Sequence, residues 1–212
     1  MSTHVLSRDL AELKARTAAT GFSLGEVVGA FGDRGYGLLL VILALPSAMP
    51  LPAPGYSTPF GIALLLVGVQ MLAGKRVPWL PRRVLQRRVT PKTGERMLGF
   101  GMRFFGKVEH LVSPRLPWLF QRGWLSFISF LLLAMAFLMM LPIPLTNTVP
   151  AAAVFLLGIG LVEKDGWVVL AACVMAALAA LLYALAFWAI FHFGLQGMEE
   201  IKEIVRDYLR RG

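Results

Sequence analysis

The sequence predicts an all-α, polytopic membrane protein of one domain, because it is strongly apolar, contains long segments without charge, and breaks two of them with prolines. Of its 212 residues, 57% are hydrophobic and 16% are charged, and the mean hydropathy is +0.68. A soluble domain is usually about 45–50% apolar and about 25% charged. This composition also excludes a disordered chain, and the single cysteine, Cys173, excludes a disulfide framework.

Three segments without Asp, Glu, Lys or Arg carry the helices, at residues 35–74, 123–162 and 166–198. A spanning helix needs about 20 apolar residues, and the third segment fits one plain transmembrane helix over 167–192. The first two segments contain the proline-rich stretches LPSAMPLPAPGYSTPFG and LPIPLTNTVPAAA. Proline interrupts a helix, so each segment is predicted to be a hairpin of two helical arms.

The outer arms of these hairpins, 35–45 and 151–162, are shorter than a full span. They either borrow flanking residues or belong to re-entrant hairpins that turn back inside the membrane, where irregular backbone must be buried in protein or line a cavity. An offset of 92 residues superimposes the two segments, pairing Pro50 with Pro142, Pro52 with Pro144, and glycines further on. We interpret them as internal repeats; the sequence leaves open whether they are parallel or inverted.

The domain is therefore divided along the chain into six parts. They are an amphipathic N-terminal region (1–34), a first Pro-broken repeat (35–74), a basic loop (75–122), a second repeat (123–166), a transmembrane helix (167–192) and an amphipathic tail (196–212).

Most of the net charge of +9 lies in the loop 75–122, which has twelve Lys/Arg and two Glu. Basic loops stay on the cytoplasmic side of a membrane, which predicts a multi-pass protein of the bacterial inner membrane with this loop in the cytoplasm, against membrane phospholipids. The loop has no motif for reading nucleic acid, so no nucleic-acid partner is expected.

Several motifs follow one another in a characteristic order. They are GDRG at 32–35, LPSAMPLP, GVQMLAGKRVPWLP ending at Pro81, SPR at 113–115, LPIPLTNTVPA from 141 to 151, and LLGIGLVEKDG ending at Gly166. With this series the chain resembles the ExoD-type exopolysaccharide synthesis family of bacterial integral membrane proteins. The resemblance implies a role connected with exopolysaccharide production but no defined molecular activity.

Catalytic motifs are missing from the sequence. There is no H-E-x-x-H, no Walker loop and no G-x-S-x-G elbow, and the histidines His4, His110 and His192 flank different segments. We therefore expect no enzymatic activity, no metal site and no cofactor.

Polar residues inside the breaks are the candidates for ligand binding. Thr or Ser before a proline marks the start of a helix, so each second arm offers free N–H groups and a positive dipole end at its break. Two such ends suit an anion, either a lipid-linked saccharide phosphate, a lipid phosphate or a small anion. The alternative is that these residues only cap two turns. The candidate residues are Pro52, Tyr56, Ser57, Thr58, Pro144, Thr146, Asn147 and Thr148.

Four further residues are assigned to gating or anchoring. Asp33 and Arg34 form either an ion pair that controls access to the first break or an anchor at the headgroups. Gln70, the only amide in its arm, suits an interhelical contact, and Arg115 suits a phosphate or anionic lipid.

Two functions are consistent with the sequence. One is a transporter-like or lipid-handling protein that binds an anionic ligand at the broken helix ends. The other is a non-transporting accessory protein that docks polysaccharide-synthesis partners through the basic loop. Glycines at 21, 25 and 29 form a small face that suits helix packing or a homodimer contact.

Overall fold

The computed structural model describes residues 34–48, 58–75, 77–79, 112–141 and 147–211, and the backbone of 22–23 and 88–89; side chains of the last helix are described as far as His192. The described residues form five α-helices: α1 (Gly35–Ala48), α2 (Thr58–Leu72), α3 (Arg122–Met140), α4 (Thr148–Glu163) and α5 (Gly166–Arg211). A short 3-10 helix, Pro117–Phe120, precedes α3, and β1 (Phe22–Ser23) pairs antiparallel with β2 (Arg88–Val89). Five α-helices account for most of the described residues, which confirms the all-α prediction for this part of the chain.

Two helices are long and apolar enough to cross a membrane: the 19-residue α3 and the 27-residue segment Gly166–His192 of α5. The helices α1, α2 and α4 are apolar but have only 14, 15 and 16 residues. At about 1.5 Å per residue they are roughly 21–24 Å long, shorter than the hydrocarbon core of a bilayer, which is about 30 Å thick.

Helix boundaries depart from the sequence expectation at three places. Helix α4 begins at Thr148, three residues before the predicted arm of 151–162. Helix α1 continues through Pro46 to Ala48; the proline lacks only the N–H that would reach the Ile42 carbonyl, so the loss is confined to the last turn. Helix α5 runs without interruption from Gly166 to Arg211, joining the predicted transmembrane helix to the predicted tail. The glycines Gly194 and Gly197 each cost a helix about 1 kcal/mol but do not end it.

Helices α1 and α4 make the most extensive contact in the bundle, and two glycines allow it. A Cβ on Gly37 would lie 2.7 Å from the Gly158 carbonyl oxygen, and one on Gly158 would lie 2.8 Å from the Gly37 carbonyl oxygen. Val162 also borders Gly37, and Val41 borders Gly158. Rising residue numbers on one helix thus meet falling numbers on the other, so α1 and α4 are antiparallel.

Helices α2 and α3 form a second antiparallel pair. Gly61 lies against Met140 and Ala136, and Gly68 lies against Leu133. Because α3 and α4 are also antiparallel, as the contacts at their ends show below, α1 and α3 run in one direction and α2 and α4 in the other.

The burial pattern repeats between the two hairpins. Each buried residue of α2 corresponds to a buried residue of α4 that lies 90 positions later in the chain. Gly61, Leu64, Val67 and Gly68 correspond in this way to Ala151, Val154, Leu157 and Gly158. The six buried residues of α3 correspond to residues of α1 that lie 92 positions earlier. Five of these are buried, namely Tyr36, Gly37, Leu40, Ala44 and Ser47, and the sixth, Leu43, is half-buried.

The change of offset from 92 to 90 lies in the breaks. Residues 49–57 separate α1 from α2, whereas the shorter stretch 141–147 separates α3 from α4. The glycines paired by the uniform offset of 92 accordingly have different surroundings: Gly68 faces α3, whereas Gly160 lies 3.0 Å, measured from an added Cβ, from the Val169 nitrogen of α5. Gly68 and Gly158 are the matching pair.

Two Gly→Ala variants, one at the contact between α1 and α4 and one away from it, test the role of this contact. Alanine normally stabilises a helix relative to glycine by about 0.5–1 kcal/mol. Gly158→Ala should instead destabilise the purified protein by about 1–3 kcal/mol, because the added methyl group meets the backbone of α1. Gly123→Ala, in the first turn of α3 with no atom within 4 Å of an added Cβ, should be neutral or stabilising. Thermal unfolding in detergent measures both, and equal effects would contradict the packing described.

Candidate functional site

The two hairpins place both of their second arms with their starts at the same end of the bundle. Gly61, in the first turn of α2, contacts Met140 at the end of α3. Asn147, immediately before α4, and Leu138, in the last turn of α3, bond to one tyrosine. We call this the break end, defined by Ala48, Thr58, Leu141, Asn147 and Tyr183.

Tyr183 of α5 holds the second break together. Its hydroxyl is 2.9 Å from the Leu138 carbonyl oxygen and 2.5 Å from the Asn147 side-chain oxygen. In a continuous helix the Leu138 carbonyl would accept a hydrogen bond from residue 142, which is a proline and has no N–H. The Leu138 carbonyl instead accepts from the Leu141 N–H at 3.1 Å, and the hydroxyl of the buried Tyr183, 2% exposed, lies beside it. Asn147 uses its side chain in this contact and makes no side-chain cap on α4.

Ser47 adds a buried hydroxyl at the same end. It lies in the last turn of α1 and is 4% exposed, and its Oγ has no hydrogen-bond partner among the described residues. Val41 lies opposite Gly158 in the antiparallel pair, so Ser47, six residues further along α1, lies opposite the first turns of α4. An unbonded hydroxyl in this position is available to a ligand.

The structure describes three of the eight candidate ligand-binding residues. Thr58 and Thr148 are the first residues of α2 and α4, which confirms that each second arm begins at its break, and Asn147 precedes α4. The other five lie outside the described residues: Pro52, Tyr56, Ser57, Pro144 and Thr146.

The opposite end is organised by Asp165, a buried carboxylate that was not among the residues singled out from the sequence. Helix α4 ends with Lys164 in a left-handed conformation (φ 53°), and Asp165 follows at 2% exposure. Its Oδ1 accepts a hydrogen bond from the Trp167 N–H at 2.9 Å, and its Oδ2 accepts one from the Ser113 N–H at 3.0 Å. One carboxylate therefore caps α5 and holds the segment that leads to α3.

Arg115 lies beside Asp165 through its backbone. The Arg115 N–H donates to the Lys164 carbonyl at 3.3 Å, and the Gly166 N–H donates to the Arg115 carbonyl at 3.0 Å. The motif SPR thus contacts the end of the motif LLGIGLVEKDG, about 50 residues later. The contact also shows that α3 begins where α4 ends. The signal for Asp165 was present in the sequence, because Asp between two helical segments is a preferred N-cap.

Gln70 and Arg34 also lie at this second end. Gln70 accepts a hydrogen bond from the Trp79 N–H at 2.6 Å through its side-chain oxygen, so it holds the chain that leaves α2 and bonds to a loop rather than to another helix. Arg34 directly precedes α1. Asp33 lies outside the described residues. Among the described side chains, no three His, Cys, Asp or Glu are close enough together to hold a metal ion.

These features define a class: a helical bundle with two helices long enough to span a membrane, polar groups at two broken helix ends, and a buried carboxylate at the other end. The chain belongs to the ExoD family, because the family model described as "Exopolysaccharide synthesis, ExoD" matches residues 6–185. The resemblance seen in the motifs is confirmed, and with it the link to exopolysaccharide synthesis.

Two relatives cover most of the chain. Protein ExoD of Rhizobium meliloti is 31% identical over 201 residues, covering 93% of this chain and 83% of that protein. A protein of Synechocystis described as uncharacterised is 34% identical over 189 residues, covering 89% of this chain and 87% of that protein. No solved structure matches the chain.

The Asp165 carboxylate accepts hydrogen bonds from two N–H groups, and we call this arrangement the clamp. It predicts a loss of stability when the carboxylate is replaced by a neutral amide. Asn in its place has one acceptor oxygen, so either the Ser113 or the Trp167 N–H loses its partner, at a cost of about 1–3 kcal/mol for a buried donor. Asp165→Asn should therefore lower the unfolding temperature of the purified protein. Lys164→Asn is the matched control, because Asn tolerates the left-handed conformation; if it were equally damaging, the clamp would not explain the effect.

Proposed function

We propose that this protein is a multi-pass inner-membrane protein of exopolysaccharide synthesis that binds an anionic amphiphile, a lipid phosphate or lipid-linked saccharide phosphate, at the break end. Membrane insertion is supported by the exposed surface. In the described part of the chain, 22 large apolar side chains are exposed, among them Phe130 at 66%, Val174 at 69% and Phe191 at 70%. A soluble monomer rarely exposes so much apolar surface.

Tryptophans indicate where the membrane boundaries lie, because they are enriched at membrane–water interfaces. Trp79, Trp118, Trp124 and Trp167 are all exposed and surround the end that contains Asp165. On α5, Trp188 lies 21 residues after Trp167, which is about 32 Å along a helix and matches a hydrocarbon core of about 30 Å.

The single observation that carries the proposal is the contact of Tyr183 with Asn147. Tyr183 precedes Trp188 by five residues, or about 8 Å along α5. With Trp188 at the interface, the second break lies below the membrane surface instead of projecting into water. Irregular backbone at that depth is expected only next to protein or a wet cavity, which favours a binding site over a plain surface turn.

The chemistry at the break end favours an anion. The starts of α2 and α4 place backbone N–H groups and positive dipole ends at the break end, and Ser47 contributes a buried hydroxyl without a partner among the described residues. We further infer that the hairpins are a parallel duplication, since their arms run in matching directions and bury matching positions. A parallel repeat brings both positive ends to one side, whereas an inverted repeat would separate them.

The basic residues orient the protein. Lys and Arg are retained on the cytoplasmic side, so we place the end with Asp165 and the loop 75–122 in the cytoplasm. The break end then faces the opposite leaflet. A lipid-handling or transporter-like role follows from that position, since a ligand there has its polar group at the break and its chains in the surrounding lipid.

Sided thiol labelling tests the depth of the break. In a Cys173→Ala background, Thr58→Cys and Asn147→Cys should react with a small maleimide in intact cells but resist a bulky, impermeant one. Lys164→Cys should be labelled by the impermeant reagent only after the cells are opened. Free reaction of both break cysteines with the impermeant reagent would place the break outside the membrane and contradict the proposal.

A pair of variants tests ligand binding against a purely structural role. Asn147→Leu and Tyr183→Phe each remove the Tyr183–Asn147 hydrogen bond, at a cost of about 1 kcal/mol. Tyr183→Phe also removes the contact with the Leu138 carbonyl, so it is the more damaging change to the fold. Only Asn147→Leu also removes the amide from the break. In cells that lack their own copy of the protein, Asn147→Leu should reduce exopolysaccharide output at least tenfold, whereas Tyr183→Phe should retain most of it.

Both variants are compared at equal protein level and with measured unfolding temperatures. Equal losses in the two variants would make Asn147 a structural residue. An unaffected Asn147→Leu, together with loss of output on neutralising Arg82, Arg83, Arg87 and Arg88, would favour the accessory role in which the basic loop docks partner proteins.

A further inference from the structure

At the end of the bundle opposite the breaks, each of the first four helices has a cation at or beside the terminus that lies there. We call it the cationic end, defined by Arg34, Lys75, Arg115, Arg122 and Lys164. Four of these side chains are exposed and Arg34 is half-buried. Within the described part of the chain, none of the five forms an ion pair with a carboxylate.

The fold brings these cations to one end of the bundle from separate parts of the chain. The guanidinium Nη2 of Arg122 lies 4.0 Å from an added Cβ on Gly74, which places it beside the turn that contains Lys75. The backbone N–H of Arg115 donates to the carbonyl of Lys164. Cations gathered at one end of a bundle repel one another, so an external anion stabilises them.

The two neighbouring carboxylates, Glu163 and Asp165, reduce but do not cancel the five positive charges. Asp165 is 2% exposed, and its two oxygens accept hydrogen bonds from the Trp167 and Ser113 N–H groups. The carbonyls at the end of α2 are also occupied, because the Gly74 N–H donates to Met71 and the Lys75 N–H donates to Gln70. Arg122 and Lys75 are therefore not needed to complete the turn that they border.

Aromatic residues at the same end identify the surroundings of these cations. Trp118 and Trp124 are in edge-to-face contact with ring centroids 5.1 Å apart, and Trp124 contacts Phe127 in the same way at 5.7 Å. Trp79 and Trp167 are 64% and 59% exposed. Exposed tryptophans next to unpaired Lys and Arg are the combination expected where protein meets lipid headgroups.

We propose that the cationic end is a binding surface for anionic phospholipid headgroups, whose phosphates are contacted by Lys75, Arg115, Arg122 and Lys164. The surface selects anionic over zwitterionic lipids through charge complementarity. This inference rests on the membrane location in the proposed function but is independent of any ligand at the break end.

Native mass spectrometry of the purified full-length protein tests the proposal. The protein is supplied with an equimolar mixture of phosphatidylglycerol and phosphatidylcholine with identical acyl chains. The wild type should retain phosphatidylglycerol in preference. Near an anionic surface each Lys or Arg contributes about 1 kcal/mol, or roughly fivefold. Lys75→Gln/Arg122→Gln and Arg115→Gln/Lys164→Gln should therefore each lose most of the preference, and added salt should weaken it.

Two control variants establish whether the lipid preference depends on the cationic end. Lys202→Gln/Arg206→Gln changes two cations on the last part of α5 and should leave the preference intact. Asn147→Leu should also leave it intact, so that failure of the break-end proposal and failure of this one are distinguishable. Persistence of the preference in both cationic-end variants would overturn the proposal, as would displacement of the lipid by an equal concentration of inorganic phosphate.

Discussion

The contact between α1 and α4 through Gly37 and Gly158 is the interaction on which the rest of the bundle depends. It joins the first hairpin to the second, because α1 belongs to one and α4 to the other. The antiparallel pair of α2 and α3 is a second contact between the two hairpins. Each hairpin therefore packs against the other more than against itself, which keeps short helices of 14–16 residues buried although none is long enough to span a bilayer alone.

Two buried polar groups then align α5 with this core. At one end the Asp165 carboxylate caps α5 and holds the chain before α3; at the other the Tyr183 hydroxyl bonds across the second break. The carboxylate bonds to a free N–H at the start of α5, and the hydroxyl contacts the Leu138 carbonyl, which also accepts from the Leu141 N–H. Buried polar groups need such partners. Because the two contacts lie 18 residues apart on one rigid helix, α5 sets the distance between the two ends of the bundle.

The two ends of the bundle differ in chemistry for a simple electrostatic reason. All five cations at or beside the termini of the first four helices lie at the end with Asp165, whereas the stretches between the hairpin arms contain prolines, hydroxyls and an amide. Charged groups remain at the water interface, while uncharged polar groups tolerate membrane depth once they are bonded. In the proposed function, the same division orients the protein in the membrane and leaves the break end to a ligand recognised by N–H and hydroxyl groups.

The sequence by itself determined the helical class, the family, the positions of both breaks, the start of each second arm near its break, and the concentration of positive charge. These follow from composition, proline chemistry and short motifs, which act locally. Only the tertiary structure decided which arms pair, that the matching offset changes from 92 to 90 across the breaks, and that Asp165 and Tyr183 bridge distant segments. Those features depend on contacts between residues 36 to 121 positions apart, and local patterns carry no information about them.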